Sequence, residues 1–263
     1  MDILINLLTE AQIDPRRALV AALLLLLLPT LYFFMARARA MLNAGKPVRL
    51  RPIQAFESLN RAMGRAAETG RPVHISLGTG GVGDATTAES LAALTLLDQV
   101  AQKAVSYHAQ PIVTTADPTL LVAAQQRIQY AYTRRGFPKG YDSSKVRLIA
   151  PDRTAYAAGI IDLLENEPLS GNVMLGAFGD EYLLMGEVGA ARTPDQVAGA
   201  ADPAVLPFVY ATAEQPLLGE EIFAAGAYMG RLASHIGSLF AQDWVRVLLV
   251  LIILGGVLVA SLS

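Results

Sequence analysis

An α/β fold, with a mostly parallel sheet, helices on both faces and an apolar helix at each end, is what this chain predicts. Three observations carry that expectation. Short β-rich runs alternate with stretches whose apolar residues recur every three or four positions, from Val73 to Ile236. A glycine-dense turn, "GTGGVGD" from Gly78, follows the first such run and precedes a helix start. Two long uncharged runs bracket the alternation: "ALVAALLLLLLPTLYFFMA" from Ala18 and "VLLVLIILGGVLVASLS" from Val247.

The first apolar run would span roughly 28 Å as a helix, close to the hydrocarbon thickness of a bilayer. The second is shorter, and Trp244 and Val245 extend it toward the interface. Both read as transmembrane helices, over 18–36 and 245–263. Pro29 falls inside the first, where packed neighbours can satisfy the freed carbonyl. Arg37, Arg39, Lys46, Arg49 and Arg51 outnumber Arg16 and Arg17 at the other end. By the positive-inside rule the central domain is then cytoplasmic and both termini lie outside. Arg16-Arg17, the apolar run and "ARARA" also resemble a cleavable leader, but a cation cluster directly after the run opposes export. The organisation is thus an outer interfacial segment (1–17), a transmembrane helix, and a basic juxtamembrane segment with a linker helix (37–71). An α/β domain (72–235), a linker (236–244) and the second transmembrane helix follow.

In chain order, "IQAFESLNRAMGRAA" from Ile53 puts Ile53, Phe56, Leu59 or Asn60, and Met63 at the near-helical spacing of an amphipathic helix. "PVHISLG" is the first strand. Thr86 and Glu89 fit a capping box, and Leu91, Leu94, Leu97, Ala101 and Val105 continue the helix they open. "PIVTTAD" is the second strand, with a helix opened by Pro118; "KVRLIAPD" and "RTAYAAGIIDLLENEP" repeat the unit. "NVMLGAFGD" begins a fourth, and "EYLLMGEVGAAR" continues it as a helix or, alternatively, a hairpin. "DQVAGAAD" and "LPFVYATAE" are two further strands, and "GEEIFAAGAYMGRLASHI" a final helix running into the membrane. Runs that are apolar throughout suit strands buried on both sides of a Rossmann-like sheet.

Composition narrows the function. A net charge of −2 offers no basic field for nucleic acid. Cysteine is absent, which removes thiolate chemistry, and His74, His108 and His235 form no zinc-binding pair. His74 and Ser76 face the same way on the first strand but lack a third partner for a triad, so His74 reads as a packed strand residue.

Candidate binding residues gather where a doubly wound sheet places them, at the carboxyl ends of strands. Gly78, Gly80, Gly81 and Gly83 with Thr86 could cradle a nucleotide's phosphates on backbone N–H groups, with Asp117 on a ribose and Asp180 nearby. Against this, Asp117 lies well beyond the ~20-residue spacing of the dinucleotide fingerprint, and Asp84 would repel phosphate. A structural turn using glycine for positive φ is the competing reading. The acids Asp180-Glu181 and Glu220-Glu221 each follow a glycine at a helix start, which suits the helix dipole. Acting together as acid/base or cation-binding groups would require the two turns to converge. No metal site and no complete catalytic constellation emerges. Gly256-x-x-x-Ala260 is a small-residue pattern suited to helix packing.

"RPVHISLGTGGVGDATTAESLAALTLLDQVA", "PIVTTADPTLL", "NVMLGAFGDEYLLMGE" and "LPFVYATAEQPLLGEEIFAAGAYM" together resemble an uncharacterised family of bacterial membrane proteins, a domain of unknown function. The resemblance covers almost the whole chain and implies a bacterial membrane setting; it brings no activity, cofactor or site. The expected function is a membrane-anchored, non-enzymatic scaffold, assembly subunit or ligand-responsive module, homo-oligomeric or part of a membrane complex. A nucleotide-like anion at Gly78–Thr86 is the alternative.

Overall fold

The computed structural model describes residues 15–45 and 50–262; most of the expected outer segment over 1–17 lies outside them. Two compact units emerge, one formed by Leu50–Gly230 and the other by the chain before and after it.

The Leu50–Gly230 unit is a six-stranded sheet: β1 (Val73–Gly78), β2 (Ile112–Thr115), β3 (Val146–Leu148), β4 (Gly171–Ala177), β5 (Gln196–Ala200) and β6 (Gln215–Leu218). Every pairing is parallel, and the spatial order is β3-β2-β1-β4-β5-β6. That order is the doubly wound one, which reverses direction between β1 and β4 and opens a crevice beyond their carboxyl ends. The helix α1 (Pro15–Asn43) belongs to the other unit; α2 (Gln54–Thr69) precedes the sheet. The crossovers are α3 (Thr87–Tyr107), α4 (Pro118–Arg134), α5 (Arg153–Asn166), α6 (Tyr182–Arg192) and α7 (Leu206–Thr212).

Alternation along the strands decides which side chains meet which helices. Ile112, Met174 and Ala198 point to one face, where they join Tyr156 and Ile160 of α5, Met185 of α6 and Val209 of α7 in a single core. Val73, Ile75 and Leu77 alternate to the other face and are equally buried, against α3 and α2. On α2 the amphipathic pattern works as expected: Phe56, Leu59 and Met63 are buried, each burial contributing about 1.5–3 kcal/mol.

Two elements depart from the sequence expectation. "LPFVYATAE" is not a strand: Leu206–Thr212 forms α7, with Pro207 in its first turn, where a missing N–H costs nothing. The last strand is the following Gln215–Leu218, which contains Pro216 and sits at the sheet edge, where proline is tolerated. The expected continuous final helix is also broken. Gly219–Ala224 is a 3-10 segment, α8 covers Ala225–Tyr228, and Arg231 adopts φ 48° before α9 (Ala233–Leu262) begins. The Glu181–Arg192 ambiguity resolves as helix.

In the other unit α1 and α9 pack antiparallel. Gly237 lets α9 approach the Met35 backbone, and Ala38 and Ala241 are fully buried beside it. The small-residue pair in contact is therefore Gly237-x-x-x-Ala241; a side chain at Gly256 would meet open space. Among the described residues one helix stretch, Ala233–Leu258, is long and apolar enough to cross a membrane.

Candidate functional site

The crevice is built from the turns after β1 and β4. Gly78 holds φ 84°, and a Cβ there would strike the Ala177 carbonyl of the adjacent strand. Gly80 is equally constrained: its Cβ would lie 2.6 Å from both the Ala177 Cβ and Thr86 Oγ1. The two turns are thus packed backbone to backbone, and Thr79 N–H closes the seam on Ala177 O at 2.9 Å.

Most of the turn's donors are used within it. Gly81 N–H donates to Thr86 Oγ1 at 3.0 Å; Gly83 and Asp84 N–H both donate to Thr87 Oγ1, at 2.8 and 3.1 Å. Thr86 N–H and its hydroxyl donate to Asp84 Oδ1 at 2.8 and 2.6 Å. These bonds hold the Asp84 carboxyl below its usual range, keeping it anionic at the crevice mouth. The expected capping box does not form, because Thr86 turns its hydroxyl to Gly81 and Asp84 instead of to the helix. A phosphate here would meet mostly occupied N–H groups and a carboxylate.

Of the predicted residues, Gly80, Gly81, Thr86 and Asp117 meet at the first turn. Asp117 Oδ2 stands 3.1 Å from the Cβ position of Gly81, so the second strand end joins the first turn. Its Oδ1, however, accepts from Leu120 N–H at 2.8 Å and caps α4. Asp152 caps α5 in the same way through Ala155 N–H at 2.9 Å. Asp180 is exposed on the β4 turn, with Gly179 beside it.

Glu181, which the sequence offered only as one of four acids at two helix starts, is the unusual residue. It is 6 % exposed. Its Oε1 accepts from Thr79 Oγ1–H at 2.9 Å and from Gly179 N–H at 2.8 Å. Its Oε2 is buried with no hydrogen-bond partner. A Cβ on Gly179 would fall 2.6 Å from that Oε2 and 2.7 Å from Arg153 Nη1. Sequence offered only an acid after a glycine; the burial depends on how the β1 and β4 turns interlock.

Glu220 and Glu221 do not join Asp180 and Glu181. They follow β6, which β5 separates from β4, a displacement of about 10 Å. Glu221 pairs with Arg51 and accepts from Leu218 N–H at 3.2 Å. Beside it Tyr228 donates to Arg51 O at 2.6 Å and stacks on Phe56 with ring centroids 5.2 Å apart. The segments by which the chain enters and leaves this unit are thereby clasped together. No group of three His, Asp or Glu among the described residues could hold a metal ion.

Behind the crevice lies a buried polar chain that sequence half-showed as polar residues on apolar strands. Gly78 N–H donates to Ser76 Oγ at 3.3 Å, and Ser76 Oγ bonds Tyr156 Oη at 2.7 Å. Tyr156 Oη bonds Thr114 Oγ1 at 3.1 Å, which bonds His74 Nε2 at 2.8 Å. His74 Nδ1 then meets Asn172 Oδ1 at 2.7 Å, Asn172 Nδ2 donates to Gln196 Oε1 at 3.2 Å, and Gln196 Nε2 ends the chain on Gly186 O at 2.8 Å. Asn172 Oδ1 can only accept, so His74 carries its proton on Nδ1 and is neutral. Every hydrogen then points the same way, from Gly78 to Gly186. Burial pushes His74 down to about 4 and Tyr156 up to about 12. Ser76 and His74 are not a nucleophile and base: Ser76 is fully buried, and an amide stands where a triad needs a carboxylate.

The chain belongs to the family described as Domain of unknown function (DUF6754), whose model matches residues 9–263. Comparison with curated proteins finds no match, and neither does comparison with solved structures.

Proposed function

We propose that this protein is a membrane-anchored, non-enzymatic α/β module of a bacterial membrane, acting as a scaffold, assembly subunit or ligand-responsive element. Two apolar segments hold it, the N-terminal one within α1 and the C-terminal one within α9. The carrying observation is the outward apolar belt on α9: Val250, Ile253, Leu254, Val257 and Leu258 are each more than half exposed. In water such a belt would be strongly unfavourable, and in lipid it is the ordinary surface of a spanning helix. The packed α1–α9 pair satisfies α9 on one side and leaves the belt for lipid or for another subunit. Arg37, Arg39, Lys46, Arg49 and Arg51, which follow the first apolar run, support a cytoplasmic α/β unit with both termini outside.

The absence of cysteine makes the test clean, since single introduced cysteines carry no background. In sealed cells or right-side-out vesicles, Tyr210→Cys should resist a membrane-impermeant maleimide until the bilayer is opened, and Ser261→Cys should react at once. Labelling of Tyr210→Cys from outside, or release of the chain by alkaline carbonate, would overturn the reading. In detergent it should run as a defined oligomer or carry a membrane partner; a bare monomer would oppose the assembly role.

A nucleotide-like anion at Gly78–Thr86 keeps one observation in its favour, the strand order that puts this turn at the β1/β4 reversal. The internally bonded N–H groups and the anionic Asp84 weigh against it. A thermal shift with ATP that Gly80→Val abolishes would restore it.

A further inference from the structure

We infer that the β1/β4 crevice binds an organic cation, a protonated amine or guanidinium, on the carboxylate of Glu181. The inference deepens the ligand-responsive reading above and rests on it. Glu181 is the only member of the crevice whose buried oxygen, among the described residues, is fixed in place and left without a donor. Its Oε1 is held by Thr79 and by the Gly179 N–H, so Oε2 has no freedom to turn elsewhere. A buried carboxylate oxygen in that state is costly, and it calls for a hydrogen-bond donor from outside the chain, a ligand or a water.

Two of the other buried orphans differ from it in kind. Arg65 Nε and Asp195 Oδ2 belong to residues already joined in an ion pair, at the opposite edge of the sheet. Ser90 Oγ lies in the first turn of α3, on the same edge as Glu181.

The surrounding charge selects the sign of the ligand. Asp84, Asp117, Asp152, Asp180 and Asp202 follow the first five strands in turn, all at the carboxyl-end edge. The crowding is felt: Glu89 is held above its usual range first by burial and then by Asp202. An anion approaching this rim is repelled, and a cation is concentrated on it. A bare metal ion lacks the three converging ligands it would need among the described residues. An ammonium or guanidinium needs only acceptors, which Glu181 Oε2 and the rim carboxylates provide. Arg153 marks the geometry: its exposed guanidinium reaches the spot beside Gly179 that Oε2 also borders, without arriving at hydrogen-bond distance.

The test uses the intact protein in detergent with spermidine and agmatine as probes, at constant ionic strength, with ATP as the anionic control. Both cations should raise the thermal midpoint by about 5 °C at a hundredfold excess over Kd, and ATP should not. Glu181→Gln should keep its fold by circular dichroism and bind spermidine at least ~10-fold more weakly. Arg153→Ala should bind as tightly as wild type or tighter, because a competing guanidinium has gone. Three results would overturn the proposal: no shift with either cation, an undiminished shift in Glu181→Gln, or loss of binding in Arg153→Ala. Carbonate-resistant sedimentation of the same membranes scores anchoring independently. A failed binding assay on an anchored protein therefore removes the ligand class alone, whereas a released protein removes the membrane reading.

Discussion

Two buried polar clusters meet near Gly78, and they are built to opposite standards. The chain from Ser76 through Tyr156, Thr114, His74 and Asn172 to Gln196 leaves no member without a partner. One turn away, Glu181 has one oxygen doubly bonded and the other bare. Low dielectric strengthens a completed network and penalises an incomplete one. The completed cluster therefore serves the fold, by tying β2, β1, β4 and β5 together, and the incomplete one is where the proposed cation would bind.

If that contrast is right, substitutions in the two clusters should differ sharply. The largest expected loss is Asn172→Leu, which strands His74 Nδ1–H and Gln196 Oε1 together. At about 1–3 kcal/mol for each buried orphan, urea unfolding should report a loss of about 3 kcal/mol. A nearly silent Asn172→Leu would erase the distinction.

Acid probes the same cluster. His74 sits at about 4 folded against an unfolded value near 6.5, so the unfolded chain binds the proton more readily. Its contribution is full above pH 6.5, declines as pH falls below that value, and is lost once pH passes below 4. At ~1.4 kcal/mol per pH unit the full loss is about 3 kcal/mol. Unfolding free energies of wild type and His74→Gln should accordingly converge between pH 7 and pH 4, if His74→Gln folds.

Asp117→Ala is intermediate, because Asp117 both caps α4 and faces the Gly81 turn. Loss of the cap should cost ~1 kcal/mol, matching Asp152→Ala at the equivalent cap of α5. A markedly larger penalty for Asp117 would mean that the glycine turn leans on it.

Glu181→Gln should be the mildest. Removing a partly unmatched buried charge should leave unfolding stability within ~0.5 kcal/mol of wild type or raise it, as at sites kept for function over stability. A loss like that of Asn172→Leu would place Glu181 in the structural class instead.

Much of this architecture could be read from residue order, because alternation, glycine turns and proline starts are local signals. The β1–α3–β2 passage is legible from Val73 to Thr115 for that reason. The error at "LPFVYATA" has a physical source. Val209, Phe208 and Tyr210 carry strand-like composition, but Pro207 and seven residues suffice for a short helix that buries only Val209. The true edge strand, Gln215–Leu218, is short and contains proline, so nothing in its composition announced it. At the crevice, sequence located the turn and its neighbour Asp117. It could not say that Thr86 and Thr87 would occupy the N–H groups, since that depends on hydroxyl rotamers. Nor could it say that Glu181 would be sealed from water, since that depends on two turns far apart in the chain.

The clasp formed by Arg51, Glu221, Phe56 and Tyr228 has a further consequence. A globule whose two loose ends leave through one doorway is a cassette: it can be excised as Leu50–Gly230, rejoined by a brief linker, and cut open at a different loop without losing its shape. The same property would let such a cassette be spliced into a surface hairpin of an unrelated host, carrying its crevice with it.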